Sequence, residues 1–195
     1  ISERDTGQTN AINKGLKKCT GQIVAYLNSD DIYTNGTLHA VAEYFLRNPT
    51  AQWVTGDYKI INENGTEIQK LIVLYKKLLR KFPIVFVQSI ANGIAQPSTF
   101  WKLSLTRKVG DFDENLHYCM DYDYWQKLFK VSTLRVLPQC LSKFRIHKTS
   151  KGTVNFTEQF NEEDTVLAKY KHGMITLLLH KLHAQMVVAI YTLIK

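Results

Sequence analysis

The run "QIVAYLN" at residues 22–28 most narrows what this chain can fold into. Its near-continuous apolar stretch stops abruptly at Ser29, Asp30 and Asp31. That pattern predicts a β-strand covered on both faces, which requires a sheet with helices on either side. The flanks supply them. "DTGQTNAINKGLKKCTG" reads as a helix capped by Asp5 or Thr6, with Ala11, Ile12, Leu16 and Cys19 in a narrow apolar stripe and Gly21 at its end. Beyond the acidic pair, Leu38, Val41, Ala42, Phe45 and Leu46 recur at helical spacing until Asn48-Pro49 stops the helix. Helix, buried strand, helix is the alternation of an α/β domain.

Downstream, "WVTGDYKIINENGTEI" predicts two strands joined by a turn at Asn64-Gly65. Residues 70–87 are basic and apolar without a clean period, and no element is assigned there. "QPSTFW" reads as a loop entering a short helix that ends near Gly110, and "MDYDYWQKLFK" as a helix. "TLRVLP" and "LSKFRIH" read as strands, and the chain from about residue 155 is mostly helical. No internal repeat or low-complexity tract is present.

With 195 residues and 45% hydrophobic content the chain suits one domain with a real core. Twenty-five Lys and Arg against seventeen Asp and Glu give a net charge of +8, which favours anionic partners. The basic residues are scattered and not interleaved with aromatics, which argues against nucleic acid. Three cysteines without CxxC spacing exclude a disulfide framework or zinc cluster and suit a reducing compartment. "ISERDTGQTN" has no apolar segment and does not read as a signal peptide.

Asp30 and Asp31 stand at the carboxyl end of the predicted strand, where ligands of α/β sheets gather. Two readings stand open. Either one of them caps the helix expected over 34–47, or they form a metal site. A second acidic pair lies in "LHYCMDYDYWQKL". On a helix Asp121 shares the apolar face of Trp125 and Leu128, whereas Asp123 turns outward toward Gln126, Lys127 and Lys130. Two separated acidic sites suit a division of labour, one holding a metal and the other accepting a proton.

The ordered blocks "SERDTGQTNAINKG", "GQIVAYLNSDD", "QPSTFW", "VGDFDENLHYCMDYDYWQKL" and "FRIHKTSKG" resemble the family 2 glycosyltransferases, over residues 1–151. The resemblance implies a mixed, Rossmann-like GT-A sheet with flanking helices, here in part, followed by a helical extension over 152–195. It implies an inverting transfer of a sugar from a nucleotide-sugar donor, UDP-, GDP- or dTDP-linked, to a saccharide or lipid-linked acceptor. Surface polysaccharide or glycolipid biosynthesis is the implied setting, and a non-catalytic remnant that keeps the acidic cleft is the alternative. The family's D-x-D motif falls on Asn28, Ser29 and Asp30. Asp30 would then bind Mg²⁺ or Mn²⁺, with Asn28 in place of one anionic ligand and Asp31 beside it. "MDYD" matches the block of the catalytic base, which assigns that role to Asp121, with Asp123 grouped with the acceptor side. Asn10, Asn13 and Lys14 match the nucleotide side of the cleft. Gln96 and Ser98 match a loop near the donor and acceptor sugars. His147 and Lys151 match a late block in which a His can reach the metal or diphosphate; a strand-end surface His is the alternative.

Family members carry a strand–helix–strand unit ahead of the counterpart of Ile1, which binds base and ribose. This sequence holds no such unit, so the 195-residue chain is expected to bind nucleotide sugar weakly. The tail "MITLLLHKLHAQMVVAIYTLIK" is interrupted by charge too often to span a bilayer. It reads either as a helix packed on the domain, the favoured reading, or as an interfacial helix on anionic lipid. The implied location is cytoplasmic, peripheral on the inner face of the plasma membrane if residues 174–195 meet lipid.

Overall fold

The structure, a computed structural model, describes residues 2–147 and 156–194. In chain order the elements are α1 (Gln8–Lys18), β1 (Ile23–Val24), β2 (Ile32–Tyr33), α2 (Thr37–Arg47), β3 (Trp53–Ile61) and β4 (Glu67–Ile68). Next come α3 (Lys70–Arg80), α4 (Val85–Ile90), a 3₁₀ turn at Gln96–Ser98, β5 (Thr99–Lys102), α5 (Leu103–Val109) and α6 (Met120–Phe129). The chain continues with β6 (Leu134–Arg145), α7 (Phe156–Tyr170) and α8 (Met174–Ile194).

The strands form one mixed sheet in the order β1–β5–β3–β6–β2, with β4 hairpinned onto β3. β3 and β6 are parallel, and the other pairings are antiparallel. Side-chain alternation along β3 and β5 builds two cores. Trp53 and Trp101 face one side, where Leu16, Tyr124, Trp125 and Leu128 of the helices bury them. Val54 and Phe100 face the other, against Val41 and Phe45 of α2. Each fully buried side chain of this kind contributes roughly 1.5–3 kcal/mol.

Beside β3, β6 slips register. Gly56 pairs with Leu137 but Asp57 with Cys140, so Pro138 and Gln139 bulge out. Only glycine fits opposite the bulge, because a Cβ on Gly56 would sit 2.5 Å from Leu141 Cγ. Past it, β6 pairs with β2 and carries Arg145 and His147 alongside Asp30 and Asp31.

Several expectations are corrected. The run at 22–28 is not a strand covered on both faces. Only Ile23 and Val24 pair, with β5, and Ala25–Asn28 run on half-buried without ladder partners, since the described residues place no strand on the other edge. α1 starts after Gly7 with no side-chain cap from Asp5 or Thr6, and ends at Cys19 rather than Gly21. α2 begins at Thr37, with Gly36 at its N-cap in the left-handed region (φ 79°), so neither Asp30 nor Asp31 caps it. Leu38 and Leu46 of its expected stripe face solvent. Residues 134–145 form one bulged strand rather than two.

The unassigned stretch folds as α3 and α4. α3 buries Arg80, which reaches Asp57 Oδ1 at 2.7 Å, while Leu71, Leu74 and Leu78 point outward. α7 lies on α6 through Val166 and Leu167 against Cys119 and Tyr122. α8 packs on α4 and α7, with buried His180 bonded through Nδ1 to the Ile90 carbonyl at 3.0 Å.

Candidate active site

The acidic end of the loop after β1 is held in place by β6. Asp31 is buried and accepts the Arg145 backbone N–H at 2.9 Å through Oδ1 and the Asn28 amide at 3.3 Å through Oδ2. Burial pushes its carboxyl up to about 6 against the pull of that N–H. The Arg145 guanidinium donates to the carbonyls of Asp30, Asn62 and Glu63, pinning the loop to the β3–β4 hairpin. Asp30 is thereby left with its side chain half-exposed, and His147 Nε2 lies 3.1 Å from Asp30 Oδ2. The strand-end His is therefore beside the candidate metal ligand rather than turned to solvent.

Asn28 is the hub of the neighbouring polar group. Its Oδ1 accepts from Gln8 Nε2 at 2.9 Å, and its amide also approaches Gln96 Oε1 at 3.4 Å. Gln96 in turn donates to the Tyr26 carbonyl at 2.6 Å. Asp121 stands on the first turn of α6. The Tyr26 hydroxyl is pushed well up by burial, then by the negative charges of Asp121 and Asp31. Asp121 Oδ1 accepts its neighbour Tyr122's N–H at 2.7 Å. Burial raises the Asp121 carboxyl, partly offset by that bond and by the charge of Lys76.

Other expected site residues are placed elsewhere. Asp123 does not face outward. It is fully buried under α7, where Lys169 Nζ donates to Oδ1 at 2.9 Å and Tyr170 Oη at 3.0 Å. The helical face that local spacing leaves free is the one that α7 covers. Asn13 is buried with its amide engaged by Phe112 and Glu114, so little of it remains for a nucleotide. Asn10 bonds Glu114 and Lys14 bonds the Arg4 carbonyl, both keeping accessible surface on α1. Ser98 is fully buried between Ser142 and the Asp57 carbonyl, because "QPSTFW" turns directly into β5. Lys151 lies outside the described residues.

The family model described as Glycosyl transferase family 2 matches residues 1–109, more than half of the chain. The chain belongs to glycosyl transferase family 2. An uncharacterized glycosyltransferase of Rickettsia conorii is 28% identical over 158 residues, 80% of this chain and 26% of that protein. The O-antigen biosynthesis glycosyltransferase WbnJ of Escherichia coli is 29% identical over 147 residues, covering 72% of this chain and 54% of WbnJ. The crystal structure of S. aureus TarS 1–349 in complex with UDP-GlcNAc superposes with a TM-score of 0.59 at 15% identity, over 89% of this chain and 50% of that one. The likeness shows that this part of the family 2 chain has the mixed, helix-flanked sheet of GT-A structures. The chain spans about half the length of WbnJ and about a quarter of the Rickettsia relative.

For a divalent cation the donor set of this family 2 chain is small but chemically suitable. Asp30 and His147 offer one carboxylate and one imidazole side by side. The described residues hold no cluster of three or more His, Cys, Asp or Glu suited to a metal. The carboxylate suits Mg²⁺ or Mn²⁺ when phosphate oxygens and water complete the shell, whereas imidazole is not a preferred ligand of such hard cations. Sequence reasoning missed Gln8, Tyr26 and Arg145. Tyr26 carried a signal, an aromatic two residues before Asn28, while Gln8 and Arg145 are brought in only by tertiary contact.

Proposed function

We propose that this chain forms the cation-holding and base-bearing walls of the cleft of an inverting glycosyltransferase. Its donor would be a UDP-, GDP- or dTDP-linked hexose, its acceptor a hydroxyl of a saccharide or lipid-linked sugar, and its product part of a surface polysaccharide or glycolipid. The observation that carries this reading is the pairing of His147 Nε2 with Asp30 Oδ2 at 3.1 Å, with half-buried Asp121 on α6 as the second acidic position. The UDP-GlcNAc complex of TarS and the O-antigen role of WbnJ support the same class of donor and product.

Asp121 takes the proton of the acceptor hydroxyl as that oxygen attacks the anomeric carbon and the bond to the diphosphate oxygen breaks. Its Oδ2 is the oxygen not committed to Tyr122. Desolvation makes the carboxylate a stronger base than an exposed aspartate. Asp30 and His147 would hold Mg²⁺ or Mn²⁺, which neutralises charge on the departing diphosphate. Arg145 and Asp31 fix the position of Asp30. Gln8, Asn28 and Gln96 are joined by hydrogen bonds next to Asp31, and Asn10 and Lys14 lie on the helix assigned to the nucleotide side.

Asn28 favours a second reading, because a neutral amide stands where the family has a carboxylate. The chain would then be a binding module that keeps the cleft without turnover. Assay of transfer from each donor class with Mg²⁺ or Mn²⁺ separates the two. Transfer that is lost in Asp30→Ala supports the enzyme. Saccharide binding without transfer from any donor, unchanged by that substitution, supports the module.

A further inference from the structure

Away from the cleft, α3, α4 and α8 present a surface that the fold does not bury. Leu71, Leu74 and Leu78 form an outward stripe on α3, Leu71 being 82% exposed. The turn into α4 adds exposed Phe82 and Phe86. On α8 a second stripe, Ile175, Leu178, Leu182 and Met186, recurs every three or four residues and is exposed throughout. The two stripes stand on touching helices, since Tyr75 Oη of α3 lies 2.9 Å from His183 Nε2 of α8 with the rings stacked. Exposed apolar residues are ordinary singly, but stripes spanning three helices mark a docking surface.

Its charge identifies the partner. The sequence has no Asp or Glu from 69 to 110 and none from 165 to 195. The carboxylates that reach these helices from elsewhere are engaged, Asp57 by Lys77 and Arg80, and Asp164 by Lys181. Lys70, Lys81 and Lys171 are exposed and stand in no ion pair among the described residues. A second copy of the chain would set these cations against their own counterparts. A bilayer offers both apolar depth and negative phosphate at the rim. No described helix is long and apolar enough to cross a membrane, so the contact is interfacial.

We propose that the α3–α4–α8 surface lies flat on a bilayer containing anionic lipid, its leucines and phenylalanines at the headgroup–acyl boundary and its lysines on lipid phosphate. The proposal stands on the surface and not on the transferase reading, and its test uses no sugar.

The test is cosedimentation of the chain with phosphatidylcholine vesicles, with and without phosphatidylglycerol, while circular dichroism monitors the fold. Binding should require phosphatidylglycerol and weaken with salt. Leu74→Glu with Leu78→Glu, and separately Leu182→Glu with Met186→Glu, should each lower partition at least about tenfold. Leu46→Glu, equally exposed but on α2, should leave it unchanged. A chain that stays in the supernatant with anionic vesicles, or stripe variants that bind like the parent, would overturn the proposal. So would a vesicle-free dimer that both double substitutions dissociate, since the face would then belong to a second copy.

Discussion

Asp121 and Asp123 stand two residues apart on α6 in opposite surroundings. Asp123 is sealed under α7 by Lys169 and Tyr170 and has no path to a substrate, whereas Asp121 is only half-buried, with Oδ1 bonded to the Tyr122 N–H. Asp121→Asn should therefore lower kcat for sugar transfer by about 10²–10⁴-fold with little change in donor affinity, which steady-state kinetics will separate. A base works only when deprotonated, and burial raises the Asp121 carboxyl. The acid limb of the kcat–pH profile should consequently lie above the ordinary aspartate range; a limb within that range would assign the base elsewhere. Asp30→Ala should weaken Mn²⁺ binding in the presence of UDP, as read by the electron paramagnetic resonance of free Mn²⁺. At this scale the residue spacing turned Asp123 the wrong way, while Asp121 is half-buried at the start of α6. Helical spacing records which residues share a face and not which distant helix covers it.

The loop entering α6, where the candidate base sits, is held by α7. Glu162 accepts the backbone N–H groups of His117, Tyr118 and Cys119, each at 2.7 Å, the last of these the residue just before the helix. Those bonds hold the Glu162 carboxyl below its usual value against desolvation. A depressed carboxyl contributes stability that is present above its unfolded pKa and lost as pH falls through the folded value. Glu162→Ala should cost about 1–2 kcal/mol in urea unfolding near neutral pH, and that difference should shrink under acid. One residue on, Glu163 shows the opposite sign. Buried against His180, it is pushed up to about 7. Its protonated form is favoured by the fold, so its contribution is complete below about pH 4.5 and is lost as pH rises through about 7. Glu163→Gln should stabilise the chain by up to about 3 kcal/mol near pH 8 and leave it unchanged near pH 4. Among elements, the hairpin of β3 and β4 was legible because Asn64-Gly65 supplies the turn, Gly65 taking φ 79°. α3 was not, because its leucine stripe faces outward and its inner side buries Arg80, the reverse of the pattern by which a core-facing helix is recognised.

For the molecule as a whole, the expected division near residue 151 has a direct test. α7 contributes Val166, Leu167, Glu162 and Lys169 to the surroundings of α6, and Lys169 joins Asp123 to Asp113. A chain ending at residue 151 should lose cooperative thermal unfolding, and Lys169→Met should destabilise the full chain by about 1–3 kcal/mol by removing the closer of two cations from the buried Asp123 carboxylate, with Lys127 left at 3.4 Å. Independent two-state melting of the shortened chain would establish 152–195 as a separate appendage. Titration calorimetry with UDP and Mn²⁺ should show affinity weaker than micromolar for the 195 residues, and micromolar affinity would show that they hold the nucleotide unaided. The sequence by itself determined the α/β class and the ordered family blocks, because these rest on local periodicity and on the order of motifs along the chain; Asp30, Asp121 and His147 entered as candidates that the family resemblance implies. Tertiary structure alone decided that His147 meets Asp30, that Glu162 ties down the loop entering α6, and that Asp123, Asn13 and Ser98 are sealed inside. Those outcomes depend on contacts between residues tens of positions apart, where the bulge of β6 and the packing of α7 set geometry that no local pattern encodes.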